Sequence, residues 1–296
     1  VFSADVDSGP FARASCSSLV TELTDSSAST LESQVAFRNL VRHTHRIQRR
    51  VAVPLTPAAI RASSRVGFII TGGLGGLGLR AGDWLLTNGV SELSLVSRRG
   101  VVPRGDDASS TSLLASLASR YPQQLTISRC DVSQAQEVRS LAASCNRPPL
   151  APLRGLMHMT EVLQDRLLRN MLSADMQATF SSKGVAAWLV HSTCATYRLD
   201  HLICFSSAAG LYGNVGSGNH ASACVYLESV AAARNLVSLP AHTIALPPTL
   251  GAGSAEATHG GAATRPLLSI LMPELIASIS RLTSLSPAFA TITILS

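Results

Sequence analysis

The residues best placed to do chemistry are the glycines that close the run Val66 to Gly78, Val-Gly-Phe-Ile-Ile-Thr-Gly-Gly-Leu-Gly-Gly-Leu-Gly. A short apolar segment empties there into a tight turn that opens a helical stretch. Such a turn can hold a dinucleotide pyrophosphate, because glycine permits positive φ, leaves no Cβ in the way of a phosphate, and delivers helix N–H groups to the anion. Gly73, Gly75 and Gly78 fit G-x-G-x-x-G, and Thr71, Gly72, Gly76 and Gly78 fit the T-G-x-x-x-G-x-G variant. The expected pyrophosphate contacts therefore run over Thr71, Gly72, Gly73, Leu74, Gly75, Gly76, Leu77 and Gly78.

Two further stations follow along the chain. Where a site for NAD would place an acid against the ribose 2′-hydroxyl, the sequence reads Ser97-Arg98-Arg99-Gly100, so Ser97 and Arg98 favour a 2′-phosphate and hence NADPH. Asp131-Val132 follows a third apolar segment, where a loop could reach an adenine; Asp131 could equally cap the next helix. Six cysteines, at 16, 130, 145, 194, 204 and 224, form no C-x-x-C pair and no His/Cys zinc spacing, so they read as reduced thiols and no metal site is expected. Cys130 and Cys204 fall in predicted strands as small core residues.

Charge narrows the partners. The net charge is +6, and all but one of the 24 basic residues are arginine, Lys183 being the exception. The densest basic run, Arg42 to Arg50, has no aromatic interleaving and no nucleic-acid motif around it, so it reads as a solvated face. The positive balance suits a phosphorylated cofactor and an acidic carrier partner.

Seven apolar runs of strand length would carry these residues. They lie near Val66 to Ile70, Leu93 to Val96, Leu125 to Ser128, Gly155 to His158, Leu202 to Phe205, Thr243 to Leu246 and Ala290 to Leu295. Helical stretches alternate with them, the first over Leu79 to Asn88 with Gly89 as its C-cap. This rhythm predicts an α/β fold with a Rossmann-like, doubly wound parallel seven-stranded sheet, whose ligands bind outside the carboxyl ends of the strands. Residues 1–60 stand outside the rhythm; they hold a Ser-rich stretch, Ser15 to Ser33, the basic run, and a join marked by Pro54 and Pro57. With 46% hydrophobic residues and a mean hydropathy of +0.26 the chain is no disordered segment. No apolar run approaches the roughly 18 residues of a membrane span, and no secretion signal opens the sequence, so no membrane is expected and the location reads as cytoplasmic. Lacking an initiator Met and ending on the apolar run Phe289 to Leu295, it reads as part of a longer polypeptide.

In order and spacing, the glycine turn, Ser97-Arg98-Arg99-Gly100, Gly155-Leu-Met-His158, Lys183-Gly-Val-Ala-Ala-Trp-Leu-Val-His191, Leu199 to Gly210 and Gly213 to Glu228 resemble the ketoreductase domain of modular or iterative type I polyketide synthases. That family belongs to the short-chain dehydrogenase/reductase superfamily. Ser33-Gln-Val-Ala-Phe-Arg38 resembles the tail of the truncated structural subdomain that precedes the catalytic one. The resemblance thus implies the C-terminal part of a structural, pseudo-Rossmann subdomain and linker over 1–60, and an NADPH-binding ketoreductase-type Rossmann domain over 61–296. It also implies hydride transfer from NADPH to a β-ketoacyl thioester on acyl carrier protein, with other synthase domains in cis. The Gly-, Ala-, Ser- and Thr-rich stretch Thr249 to Thr264 would form a lid over the substrate.

In that family a serine and a tyrosine hydrogen-bond the carbonyl, a lysine lowers the tyrosine's pKa and holds the nicotinamide ribose, and an asparagine one helical turn after the tyrosine supports the proton relay. Carried over, the lysine is Lys183 and the serine Ser207, with Ser206 left to bond backbone; the tyrosine position reads His220 and the asparagine position Cys224. Lys183 should push the pKa of His220 down, the imidazole is shorter than a phenol, and Cys224 offers only a weak S–H donor. After the fourth strand the family's His-Ala-Ala-Gly reads His158-Met159-Thr160-Glu161: His158 is expected at the cofactor, while Glu161 is expected to crowd NADPH, repel its phosphates and weaken its binding. The usual Gly-Gln before the tyrosine is Gly216-Ser217, and the usual Trp-Gly after the sixth strand is Leu246-Pro247. The stereochemical Leu-Asp-Asp motif reads Leu163-Gln164-Asp165, and the tryptophan associated with the opposite alcohol falls at Tyr212, so no product configuration is assigned. The expectation is an impaired reductase, or an inactive structural domain of the same fold within a megasynthase.

Overall fold

The computed structural model describes residues 65–103 and 108–247, the strands at 3–6, 34–38, 41–44 and 291–293, and residues 275, 276 and 279. The segments Ser15 to Ser33 and Thr249 to Thr264, the prolines at 54 and 57, and Cys16 lie outside the described residues. The chain divides into two units, Val1–Pro54 and Leu55–Ser296.

The first unit holds three short strands, β1 (Ser3–Val6), β2 (Gln34–Arg38) and β3 (Val41–Thr44). β1 pairs with β2 in parallel, and β2 with β3 antiparallel.

The second unit is built on one sheet. Six strands of five to seven residues carry it: β4 (Gly67–Thr71), β5 (Glu92–Ser97), β6 (Leu125–Arg129), β7 (Leu153–His158), β8 (His201–Ser207) and β9 (His242–Leu246). A three-residue strand, β10 (Thr291–Thr293), pairs at the edge. The expectation of seven full strands is thus corrected at the last, where pairing covers half of Ala290 to Leu295. The spatial order is β10-β9-β8-β7-β4-β5-β6, and every pairing is parallel.

Burial explains the parallel arrangement. Every residue of β4 and β9 is buried, as expected of strands covered on both faces rather than alternating toward water. Gly155 on β7 sits opposite Phe68 on β4, and a Cβ at Gly155 would lie 2.0 Å from the Phe68 ring, so the glycine is the space that the ring fills.

Two core clusters cover the sheet. One joins Phe68, Ile70, Leu93, Met157 and Ile203 to Leu79, Leu85 and Leu86 of α1 (Gly76–Thr87) and Leu117 of α2 (Ala108–Arg120), together with Leu275 and Ile279. The other joins Ile69, Val96, Leu156 and Cys204 to α3 (Ala135–Ser144), α5 (Ala186–Cys194) and α7 (Gly218–Leu236). Between α3 and α5 runs α4 (Ser173–Phe180), which continues through a π-helical turn, Ser181–Val185, into α5; the four-residue α6 (Ala209–Tyr212) precedes α7. β4 lies between β5 and β7, so the chain crosses from one half of the sheet to the other there, and a crevice opens at the carboxyl ends of those strands.

Candidate functional site

The glycine turn stands in that crevice. Gly72 has φ +73°, and a Cβ there would meet the Met159 carbonyl at 2.8 Å; a Cβ on Gly78 would lie 2.6 Å from the Gly73 Cα. Both glycines are required for the turn to close on its neighbours. At Gly75, by contrast, the nearest atom to an added Cβ is 3.5 Å away, so this face is open to a ligand. Helix α1 starts at Gly76, with no side-chain cap from Gly75 and no acidic residue in its first turn, which leaves its N–H groups and dipole suited to an anion. Leu74 is fully buried, so it presents only backbone to the turn.

The side chains of Thr71 and His158 bond within the scaffold. His158 Nε2 lies 3.2 Å from the Lys183 carbonyl, which can only accept, so Nε2 carries the proton. Nδ1 then accepts from the Thr71 hydroxyl at 2.8 Å. This buried bridge ties β4, β7 and the π turn together. Burial is the main cause that pushes the His158 pKa down to about 4; the hydrogen bond to the Lys183 carbonyl opposes this and the Lys183 charge adds to it.

At the end of β5, Arg98 and Arg99 are exposed, and the Ser97 hydroxyl accepts from the Gly100 N–H at 3.0 Å. The Asp131 carboxylate accepts from the Ser133 N–H and hydroxyl, while Glu137 reaches back to the Asp131 N–H at 2.7 Å. Asp131 thus shapes the turn before α3, whose N-cap is Gln134, and is itself half-buried, while the Val132 side chain is buried in the core.

Lys183 sits in the π turn that interrupts the α4–α5 helix, a helical irregularity of the kind that marks functional sites. Its side chain is 3% exposed, and Nζ donates to the Phe205 carbonyl at 3.1 Å and to Glu161 Oε2 at 3.2 Å. Burial disfavours the ammonium, but the Glu161 carboxylate leads the effects that outweigh it and raise the pKa above that of an ordinary lysine. Glu161, expected to crowd NADPH and repel its phosphates, places its carboxylate on the lysine.

Ser207 ends β8, two residues beyond the carbonyl that holds Lys183, and its hydroxyl accepts from the Ala209 N–H at 3.2 Å. Ser206 was expected to bond backbone; it donates to Glu228 Oε1 of α7. His220 and Cys224 lie one turn apart on α7, both buried, with His220 Nε2 and Cys224 Sγ 3.6 Å apart. His220 Nδ1 is buried without a hydrogen-bond partner. Burial first and the Lys183 charge second lower the His220 pKa, against opposing pulls from Glu161 and Asp165, so the ring is neutral near pH 7. Burial also raises the Cys224 pKa, and the thiol stays protonated.

Sequence reasoning missed Asn219. Its buried amide donates to the Gln164 carbonyl at 2.9 Å, to Thr179 Oγ1 at 3.1 Å and to the Asp175 carbonyl at 3.3 Å, while its oxygen accepts from the His220 N–H at 2.9 Å. This one side chain positions the start of α7 against α4 and the loop before it. An asparagine immediately before the expected proton donor was the available signal. Among the described residues no group of three or more His, Cys, Asp or Glu could hold a metal, no helix is long and apolar enough to cross a membrane, and the five described cysteines are free.

A family model described as KR domain matches residues 67–251. The chain is 34% identical over 213 residues to polyketide synthase GfsB of Streptomyces halstedii, covering 71% of this chain and 4% of that protein. It is 31% identical over 205 residues to the highly reducing polyketide synthase easB of Emericella nidulans, covering 66% and 8%. The chain therefore spans less than a tenth of these curated relatives. Among solved structures, A-type ketoreductases from a modular polyketide synthase superpose with a TM-score of 0.77 at 26% identity, over 99% of this chain and 59% of theirs. NADPH-bound carbonyl reductase from chicken fatty liver shares the fold, with a TM-score of 0.62 at 17% identity over 78% of this chain and 97% of its own. The parallel sheet, the glycine turn and the match across 67–251 converge, and the chain belongs to the KR domain family, the ketoreductases of polyketide synthases within the short-chain dehydrogenase/reductase superfamily.

Proposed function

We propose that this domain is built for NADPH-dependent reduction of a carrier-bound β-ketoacyl thioester to the β-hydroxyacyl thioester, and that its own turnover is impaired. The observation that carries the reading is His220: the group at the proton-donor position is a neutral, buried imidazole whose Nε2 faces a thiol. NADPH, when bound, supplies the hydride.

The chain's own residues divide the remaining work. The open turn around Gly75 and the uncapped start of α1 fit a pyrophosphate, and exposed Arg98 fits a 2′-phosphate. The nicotinamide end fits less well, because Lys183 already carries a carboxylate. Ser207 can donate a hydrogen bond to the substrate carbonyl from the end of β8. As alkoxide charge develops there, a proton must arrive, and a neutral imidazole is a far weaker acid than an imidazolium. Cys224 cannot replace an amide in a proton relay, since a thiol is a weak donor and this one is fully buried.

The Lys183–Glu161 contact favours a second reading, a catalytically inactive domain kept as scaffold in a megasynthase. Under either reading residues 1–60 are the C-terminal part of a structural subdomain with its linker, and 61–296 the ketoreductase-type domain. Acyl carrier protein and neighbouring synthase domains are its partners in cis, and the free thiols support a cytoplasmic setting.

The test is NADPH oxidation with a β-ketoacyl N-acetylcysteamine thioester. Restoring a general acid is worth on the order of a hundred- to ten-thousandfold, so the His220→Tyr, Cys224→Asn double variant should gain at least the lower figure over the wild type. Wild-type turnover comparable to active family members would refute the impairment.

A further inference from the structure

We propose that Glu161 is a latch: its carboxylate holds the Lys183 ammonium that a nicotinamide ribose would otherwise engage, so that a full dinucleotide binds only by displacing an internal ion pair. The inference rests on the NADPH reading above and specifies what opposes it.

Three observations support the latch. First, the ammonium is inside the protein, and a buried charge needs a counter-charge or it destabilises the fold. The nearby side chains at the family's tyrosine and asparagine positions supply none, since His220 is neutral and Cys224 protonated. Glu161 supplies it, at 3.2 Å.

Second, the backbone around Glu161 is anchored so that the carboxylate stays on the lysine. The Met159 N–H donates to the Thr71 carbonyl at 3.0 Å, and the Thr160 hydroxyl donates to the Ser182 carbonyl at 2.6 Å, one residue from Lys183. The loop after β7 is thereby pinned to both the glycine turn and the π turn.

Third, the obstruction is confined to one end. The Glu161 side chain is 34% exposed, against 3% for the lysine it holds. The 2′-phosphate end at Arg98 and the open face of Gly75 belong to other elements. A latch of this kind weakens the nicotinamide half of a dinucleotide and leaves the adenosine half untouched.

That asymmetry makes the test. NADPH is titrated by fluorescence, and 2′,5′-ADP by calorimetry, against the wild type, Glu161→Gln and Glu161→Ala. Glu161→Gln keeps the shape and a weaker hydrogen bond, and covers the case in which Glu161→Ala fails to fold. The expected result is NADPH bound about tenfold more tightly by the variants, with 2′,5′-ADP unchanged within about twofold. Melting temperatures give a second readout: without ligand both variants melt lower than the wild type, because the ammonium has lost its counter-charge, and NADPH raises their melting temperature by more. If 2′,5′-ADP binds all three proteins and NADPH affinity does not change, the latch is overturned. If the variants bind both ligands more tightly, Glu161 acts on phosphates through space and the latch is again overturned. If neither ligand binds any of the three, the dinucleotide reading itself fails and the latch with it.

Discussion

Lowering the pH from 7 to 5 should destabilise the domain through His158. The buried ring is neutral, bridged between the Thr71 hydroxyl and the Lys183 carbonyl, with a folded-state pKa of about 4 against 6.5 in the unfolded chain. The folded pKa is the lower one, so between 6.5 and about 4 the unfolded state binds more protons. Stability is fully present above 6.5 and drains away as pH falls through that window. Each tenfold in proton affinity is worth about 1.4 kcal/mol, so the full window costs about 3 kcal/mol and the part reached by pH 5 about 2 kcal/mol. Against a total of about 5–15 kcal/mol for a domain, that is a large share. His191, His201, His220 and His242 are lowered too, each first by burial, and add losses of the same sign. The assay is urea unfolding at pH 7 and pH 5 for the wild type and His158→Gln, which keeps a donor toward the Lys183 carbonyl but cannot titrate. Carboxylates and the other histidines titrate alike in both proteins, so the difference isolates His158. The variant should lose about 2 kcal/mol less than the wild type over this interval. Equal losses, or a wild type that loses less than about 0.5 kcal/mol, would refute the reasoning.

Two further outcomes follow from single side chains. Asn219→Ala removes donors from two carbonyls and a hydroxyl in a fully buried setting, and should cost about 2–4 kcal/mol, read as a lowered melting temperature and urea midpoint. Arg98→Ala should abolish any preference for NADPH over NADH in a fluorescence titration while leaving stability within about 0.5 kcal/mol, since the side chain is exposed; a wild type without that preference would remove the role assigned to Arg98.

The parallel sheet was legible because its inner strands are buried on both faces and therefore read as unbroken apolar runs, such as Phe68-Ile-Ile and Leu202-Ile-Cys-Phe. The glycine turn was legible because steric need fixes residue type there: the packing at Gly72 and Gly78 excludes any side chain. The three strands Ser3–Val6, Gln34–Arg38 and Val41–Thr44 escaped because they are short and are broken by polar and charged residues such as Asp5, Arg38, Arg42 and His43, so no unbroken apolar run marks them. Side-chain destinations were less legible still. Ser206 chooses Glu228 over backbone, and His158 turns inward to Thr71, through contacts separated by 22 and 87 residues that no local pattern encodes.

Glu161 shows most clearly what position in the chain leaves out. Taken alone, it is a carboxylate where the family has glycine, and its evident consequence is repulsion of phosphate. Its partner is fixed by the loop pinned through Thr160 and by a π turn that delivers Lys183 to the same place. The lysine also has reason to take a carboxylate. In the family its charge serves a tyrosine that must lose a proton; here the residue at that position is an imidazole that burial first, and the same charge second, keep from gaining one. With no phenolate to stabilise, the buried ammonium is left with an unmet electrostatic demand, and Glu161 meets it. On this argument the substitutions at 161 and 220 are physically coupled, so His220→Tyr alone should recover less activity than His220→Tyr with Glu161→Gly. Equal recovery would show that the two positions act independently.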